Sequence, residues 1–348
     1  MGFSDRILGR KSSNGTPHIE SVAPSAALTG GELRITGSGL RPSHLSRPKV
    51  TFGDQEGAIV VSSDGFVVTR VPEGATSGPV VVATDGHVSN PQTVKVAVPI
   101  AENLHPVTNP AIDAEGNIYV TFSGSRGQKV PVSIFKIDTN YNVKPFVSEM
   151  MNPTSIAFDR QGQMYVSSRF DGAVYRVGQN GTMTTYAEGM GVATGIAFDR
   201  DESLYVGDRN GTIFKIARDQ QVFVFATLEM SVSAYHLAFG PQGDLFVSGP
   251  NDRVFKIDPS GSVTTFYKGL GRPQGLAFDA DGNLYVAASL SGTRGIVRIA
   301  PDGKARLEVS GQGLVGLAFA PGRSVVLATT SAVHHLSWNV QGLHLVPE

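Results

Sequence analysis

The stretch from Phe278 to Val286, FDADGNLYV, sets Asp279, Asp281 and Asn283 at alternate positions around Gly282. Oxygen donors at every second residue suit a hard cation such as Ca²⁺. The same residues also suit a tight turn. The first Asp can accept bonds from backbone N–H groups further on, and the Gly takes positive φ. The counterparts decide between the two: DAEGN from Asp113, DRQGQ from Asp159, DRDES from Asp199, GPQGD from Gly240 and APGRS from Ala320. Their third positions run Glu115, Gln161, Asp201, Gln242, Asp281 and Gly322. A repeated cation site needs its ligands each time, so the stretch reads as hairpin chemistry and no metal is expected in it.

Composition narrows the rest. The chain has 348 residues, 41% hydrophobic and 17% charged, with 41 glycines, no cysteine and a net charge of −1. Disulfides and thiolate metal sites are excluded. No basic run or net positive charge points to nucleic acid, and no apolar run is long enough to span a bilayer. The start, MGFSDRILGRKSSNGTPH, lacks the apolar core of a secretory signal, and Arg6 breaks the myristoylation pattern. These features predict a soluble monomer, cytoplasmic as written and exported if a leader was removed.

Three regions follow. Residues 1–16 are polar and predict a flexible tail. Residues 17–98 alternate short apolar strands with Gly, Pro, Asn and Ser at roughly ten-residue spacing, the texture of a β-sandwich. With Ile19, Val22 and Pro24, GGELRITGSGL from Gly30, VTFG from Val50 and VPEGATSGPVVVATDG from Val71, this part resembles an IPT/TIG domain, an immunoglobulin-like module.

Residues 99–348 repeat. SIAFDRQGQMYV, GIAFDRDESLYV, HLAFGPQGDLFV, GLAFDADGNLYV and GLAFAPGRSVVL place Phe158, Phe198, Phe239, Phe278 and Phe319 at spacings of 40, 41, 39 and 41. A weaker copy, PAIDAEGNIYVTF, precedes them from Pro110. Third and fourth strand segments follow in most units, and four strands per roughly forty residues is a propeller blade. The prediction is an all-β chain: an immunoglobulin-like β-sandwich plus a six-bladed β-propeller. The last strand, about Gly342–Pro347, is expected to complete the final blade from its own sequence, leaving closure to packing between first and last blades. The units resemble NHL repeats and the propeller of the gluconolactonase/senescence-marker-protein family.

In that family, the resemblance implies, Asn and Asp just before the Gly of each blade's lead-in loop hold a catalytic divalent cation such as Ca²⁺ in the channel. At those positions this chain has Thr108, Thr154, Thr194, Tyr235, Gln274 and Val315. No carboxylate ring remains, so metal-dependent sugar-lactone hydrolysis is an alternative reading and no cofactor is expected. Asp208 and His236 are the candidates for a lyase acting by acid–base chemistry, if the fold brings them together. The bland reading has Asp208 capping its own loop and His236 packing on Tyr235. His334 and His335 are strand neighbours and point to opposite faces, and His105 lies in a linker.

The loops expected on the top face carry Arg126, Arg169, Arg209, Arg253, Arg272 and Arg294, whereas the bottom hairpins are acidic. Arginine grips carboxylate or phosphate in a two-pronged way. A non-catalytic binding protein is therefore expected, taking a small acidic ligand or a protein partner at the top face through Arg169, Arg209, Tyr235, Arg272 and Gln274. The competing account pairs these arginines locally with Asp171, Asp208 and Asp252.

Overall fold

The computed structural model describes residues 16–42, 47–231, 233–249 and 251–343. The expected tail, but for Thr16, lies outside them. The described residues form strands and turns, and the chain divides into two compact units between Val96 and Ala97.

In the first unit, His18–Ala23, Glu32–Ser38, Phe66–Arg70 and Gln55–Ser62 pair in that order, and Lys49–Phe52, Gly78–Thr84 and Gln92–Val96 continue the pairing. Alternation sends Leu33, Ile35, Val50, Val67, Val80, Val82 and Val94 into one buried core. A Cβ at Gly37 would lie 1.9 Å from the His18 carbonyl oxygen, so the glycine lets the first two strands approach at a bulge.

The second unit is a β-propeller. Sheet one is Ala111–Ile112, Ile118–Thr121, Ile134–Ile137 and Val143–Val147. Sheet two is Pro153–Phe158, Met164–Ser168, Ala173–Val177 and Met183–Ala187. Sheet three is Ala193–Phe198, Leu204–Asp208, Thr212–Ile216 and Val222–Thr227. Sheet four is His236–Phe239, Leu245–Ser248, Arg253–Ile257 and Val263–Lys268. Leu276–Phe278, Leu284–Leu290, Thr293–Ile299 and Ala305–Ser310 form a further meander with the same antiparallel pairing.

The closing sheet corrects the sequence reading. Leu314–Ala320, Ser324–Thr329 and Ala332–Ser337 take their fourth strand from Val98–Glu102, with Val98 opposite His335 and Glu102 opposite Ala332. The ring is closed by backbone hydrogen bonds between its two ends rather than by packing alone. Of the strand expected at 342–347, Gly342 makes one bridge to Asp279 and Leu343 N–H donates to the Phe278 carbonyl; the remainder lies outside the described residues. The sequence reading sets the boundary at 98/99 but gives Val98–Glu102 no strand in the ring, because it precedes the first copy of the repeat at Pro110.

The seams between sheets are aromatic. Each repeat Phe on an innermost strand packs edge-on against a ring on the second strand of the preceding sheet. Phe158 meets Tyr119 at 5.5 Å, Phe198 meets Tyr165 at 5.1 Å and Phe239 meets Tyr205 at 5.0 Å. Phe278 meets Phe246 at 4.8 Å and Phe319 meets Tyr285 at 5.3 Å. A third ring completes each group: Phe146, Tyr186, Phe225, Phe266 and, at the last, Trp338. Edge-on pairs of this kind add about 0.5–1.5 kcal/mol beyond burial.

The hairpin acids belong to these seams. Tyr119 Oη donates to Asp113 Oδ2 at 3.0 Å and Tyr165 Oη to Asp159 Oδ2 at 3.2 Å, while burial, with Asp199 and Asp279 beside them, raises the phenols of Tyr205 and Tyr285. The other carboxylate oxygen accepts hairpin amides, as Asp279 Oδ1 does from Asn283 N–H at 2.7 Å. In the two units lacking the acid, Gly240 and Ala320, the residue six positions on is Phe246 or Val326 rather than Tyr. The hydroxyl is missing wherever its acceptor is missing, as expected of a buried polar group.

Asn109 ties the ring across its axis. Its Nδ2 donates to the Leu276 carbonyl at 2.8 Å and its Oδ1 accepts from Leu317 N–H at 3.0 Å. Asn109→Ala leaves both backbone groups without that partner and is expected to cost about 2–4 kcal/mol; urea unfolding of the full chain measures it.

Candidate functional site

The lead-in loops of the sheets converge on the axis and bond to one another there. Ser167 Oγ, on sheet two, donates to the Thr194 carbonyl of sheet three. Gly195 N–H donates to the Tyr235 carbonyl at 2.8 Å, and Tyr235 N–H donates to Thr194 Oγ1 at 3.1 Å. Ser248 Oγ donates to the Gln274 carbonyl at 2.5 Å, and Gly275 N–H to the Val315 carbonyl at 3.0 Å. Thr108 Oγ1 lies 2.9 Å from His236 Nδ1, joining sheet one to sheet four. A Cβ at Gly275 would sit 1.9 Å from Asn109 Oδ1, and one at Gly195 would sit 2.4 Å from the Tyr235 carbonyl oxygen. The motif glycines are thus required by close approach at the axis.

This belt determines where the sequence candidates sit. Tyr235, expected to face a ligand, is fully buried, and its hydroxyl donates to the Glu229 carbonyl. Burial, with Asp208 and Glu229 nearby, pushes its phenol up to about 12. Gln274 is part-buried and its Oε1 accepts from Arg294 Nη2. Arg294 also donates from Nε and Nη2 to the Leu314 carbonyl, and from Nη1 to the carbonyls of Gly271 and Arg272 at 3.2 and 2.8 Å. Burial and the neighbouring Arg272 pull it down to about 10. Arg272 itself is exposed, with φ of 47°.

Asp208 and His236 are not joined by a hydrogen bond among the described residues. Asp208 is 4% exposed and its Oδ1 accepts from the Val192 and Asn210 amides at 2.8 and 3.2 Å, so it caps its own loop. His236 is equally buried against Thr108. Desolvation, and secondarily Arg294, lower its imidazole to about 4, which holds it neutral at neutral pH. His105 is exposed with Nδ1 3.3 Å from the Thr330 carbonyl oxygen, and His334 is held low by burial.

The residues at the family's metal positions do not fit a divalent cation. Thr194 Oγ1 donates to the Gly207 carbonyl, Thr108 is engaged with His236, and Tyr235 and Gln274 are engaged as described. Among the described residues no group of three or more His, Asp or Glu is placed to hold a metal ion.

Apart from the exposed Arg272, the top-face arginines differ in what holds them. Arg253 pairs with Glu229 and Asp252, each at 3.7 Å, and Arg294 is absorbed by loop carbonyls. Arg209 Nε donates to the Ser231 carbonyl at 3.4 Å, and Arg126 and Arg209 act as like charges that depress the Arg169 guanidinium, after desolvation as the larger cause. Arg169 Nη2 donates to the Gly124 carbonyl at 3.0 Å, and its buried Nε has no partner among the described residues. Asp171 accepts from Ser168 Oγ and Tyr175 Oη. Asn152 shapes the neighbouring loop by accepting from Gly127 N–H and donating to the carbonyls of Gly124 and Ser125. Sequence reasoning passed over Asn109 and Asn152; the signal available for Asn109 was its place immediately before the first copy of the repeat.

Two family models match parts of the chain: the IPT/TIG domain over residues 17–96, and the SMP-30/Gluconolactonase/LRE-like region over residues 163–319. A search of the curated proteins found no match. Among solved structures, a putative gluconolactonase is similar at 18% identity and TM-score 0.59, covering 71% of this chain and 93% of its own. An auxiliary nutrient binding protein from Bacteroides thetaiotaomicron is 13% identical with TM-score 0.56, covering 92% of this chain and 98% of its own. A catalytically inactive virginiamycin B lyase from Staphylococcus aureus, with quinupristin, is 16% identical with TM-score 0.51, covering 83% and 99%. At such identities the likeness is one of fold.

Burial of a neutral His236 has a consequence for acid stability. Its value is about 4 folded against an ordinary 6.5, so between those pH values the unfolded chain binds more protons. The stability it contributes is intact above 6.5 and lost as pH falls towards 4, by about 3 kcal/mol in all. His236→Gln is expected to flatten that part of the profile, as measured by denaturant unfolding at pH 7, 5.5 and 4.5.

Proposed function

We propose that the protein is a non-catalytic binding protein whose propeller, read as a ring of six NHL-like blades, takes an acidic ligand or an acidic partner loop on its top face. The observation that carries this is the grouping of Arg126 and Arg209 around Arg169, a part-buried guanidinium with an unpartnered Nε. An anion beside Arg169 would reach its unpartnered Nε and offset the like charges of Arg126 and Arg209, and the guanidinium geometry suits carboxylate or phosphate. The axial residues support the same reading, because the side chains at the positions where the family places its metal ligands are already engaged within the fold. Likeness to a nutrient-binding protein over 92% of the chain agrees with a binding role.

Sugar-lactone hydrolysis is the second reading, favoured by the match over residues 163–319. A lyase mechanism through His236 and Asp208 would require both buried groups to leave their present partners.

Calorimetric titration with citrate and with inorganic phosphate tests the first reading. Arg169→Glu and Arg126→Glu are each expected to weaken binding at least tenfold without loss of fold. Absence of binding to either anion, or binding indifferent to both substitutions, rejects it. Turnover of a sugar lactone dependent on added divalent ions would favour the second.

A further inference from the structure

The five phenylalanines that mark the repeat also enclose a space. At the bottom end of the axis, where the strand one to two hairpins emerge, Phe158, Phe198, Phe239, Phe278 and Phe319 line a cavity of about 310 Å³. Between them stand small alanines, among them Ala197, Ala277 and Ala318. Asn109 lines the same cavity on the axis, at the level where the lead-in loops bond to one another. The space therefore opens on the face opposite the arginines and is not a continuation of the top mouth.

The polar groups around it are already satisfied within the fold. Asn109 uses its donor on Leu276 and its acceptor on Leu317. Asp159 and Asp199 accept hairpin amides, and Asp159 also accepts from Tyr165 Oη. Asp199 also lies 3.7 Å from Lys215 Nζ, and Glu202 pairs with Arg218 at 2.9 Å. Arg160 Nη2 donates to the Arg200 carbonyl at 2.6 Å. What remains to meet a ligand is apolar and aromatic surface, and concave apolar sites of this kind take apolar molecules in preference to water.

We propose that this cavity is a binding site for a neutral, aromatic or otherwise apolar small molecule on the order of two to three rings in size. Charge selects against the alternatives: an anion would face three carboxylates against the one guanidinium of Arg160, and a cation would compete with Lys215 at Asp199 and Arg218 at Glu202. The ligand is held by contact with phenylalanine rings and by loss of water, and its selectivity is one of shape.

The test uses the full chain and the neutral fluorophore N-phenyl-1-naphthylamine. Saturable binding at one molecule per chain is expected. Ala197→Leu and Ala277→Leu, on two different inner strands, fill the space and are expected to weaken binding at least tenfold while circular dichroism stays unchanged. Ala318→Val, a smaller insertion, guards against unfolding and is expected to weaken binding about threefold. Arg169→Glu, on the other face, is expected to leave fluorophore binding intact, which separates this site from the anion site. No saturable binding, or binding unaffected by filling substitutions in folded protein, overturns the proposal.

Discussion

Several strands must meet at one axis, each bringing backbone amides and carbonyls into a space that excludes water. Unpaired, each such group would cost about 1–3 kcal/mol. The structure meets this constraint with a belt of bonds between sheets, from Ser167 to Thr194, Tyr235 to Thr194, Ser248 to Gln274, Gly275 to Val315 and Asn109 to Leu317. Glycine is required at 195 and 275 because the neighbouring chain occupies the space a Cβ would need. Buried His236 is part of the same solution: neutral, it completes Thr108, and protonation would place a charge there.

Further from the axis the seams solve a different problem. Flat sheets packed side by side need large groups that fit at any of several similar angles, and edge-on aromatic rings supply them. The tyrosine version adds a hydroxyl, which burial would penalise were it not for the hairpin Asp. The acid thereby links turn formation to packing between sheets, and its loss at 240 and 320 travels with loss of the hydroxyl.

These two solutions divide the surface between different chemistries. The belt consumes the side chains that would otherwise face the channel, including Tyr235 and Gln274, and leaves charge recognition to the outer loops. Of the top-face arginines, Arg253 and Arg294 are held by carboxylates and carbonyls, whereas Arg169 keeps a buried Nε without a partner among the described residues and feels Arg126 and Arg209 as like charges. The bottom end is instead lined by aromatic rings whose packing at the seams leaves a space between them.

The sequence by itself determined the all-β class, the sandwich and propeller textures and the phase of the repeat, because alternation, turn residues and the recurrent Ala-Phe pair are local signals. It also placed the acids of FDADGNLYV in a hairpin rather than in a metal loop. It could not determine that Val98–Glu102 completes the closing sheet, since its partner, Ala332–Ser337, lies at the other end of the repeat region. Nor could it tell that Tyr235 would be buried, that His236 would partner Thr108, or that Arg126 and Arg209 would bear on Arg169. Those outcomes depend on which side chains the ring brings within a few ångströms, and only the closed tertiary structure sets that distance.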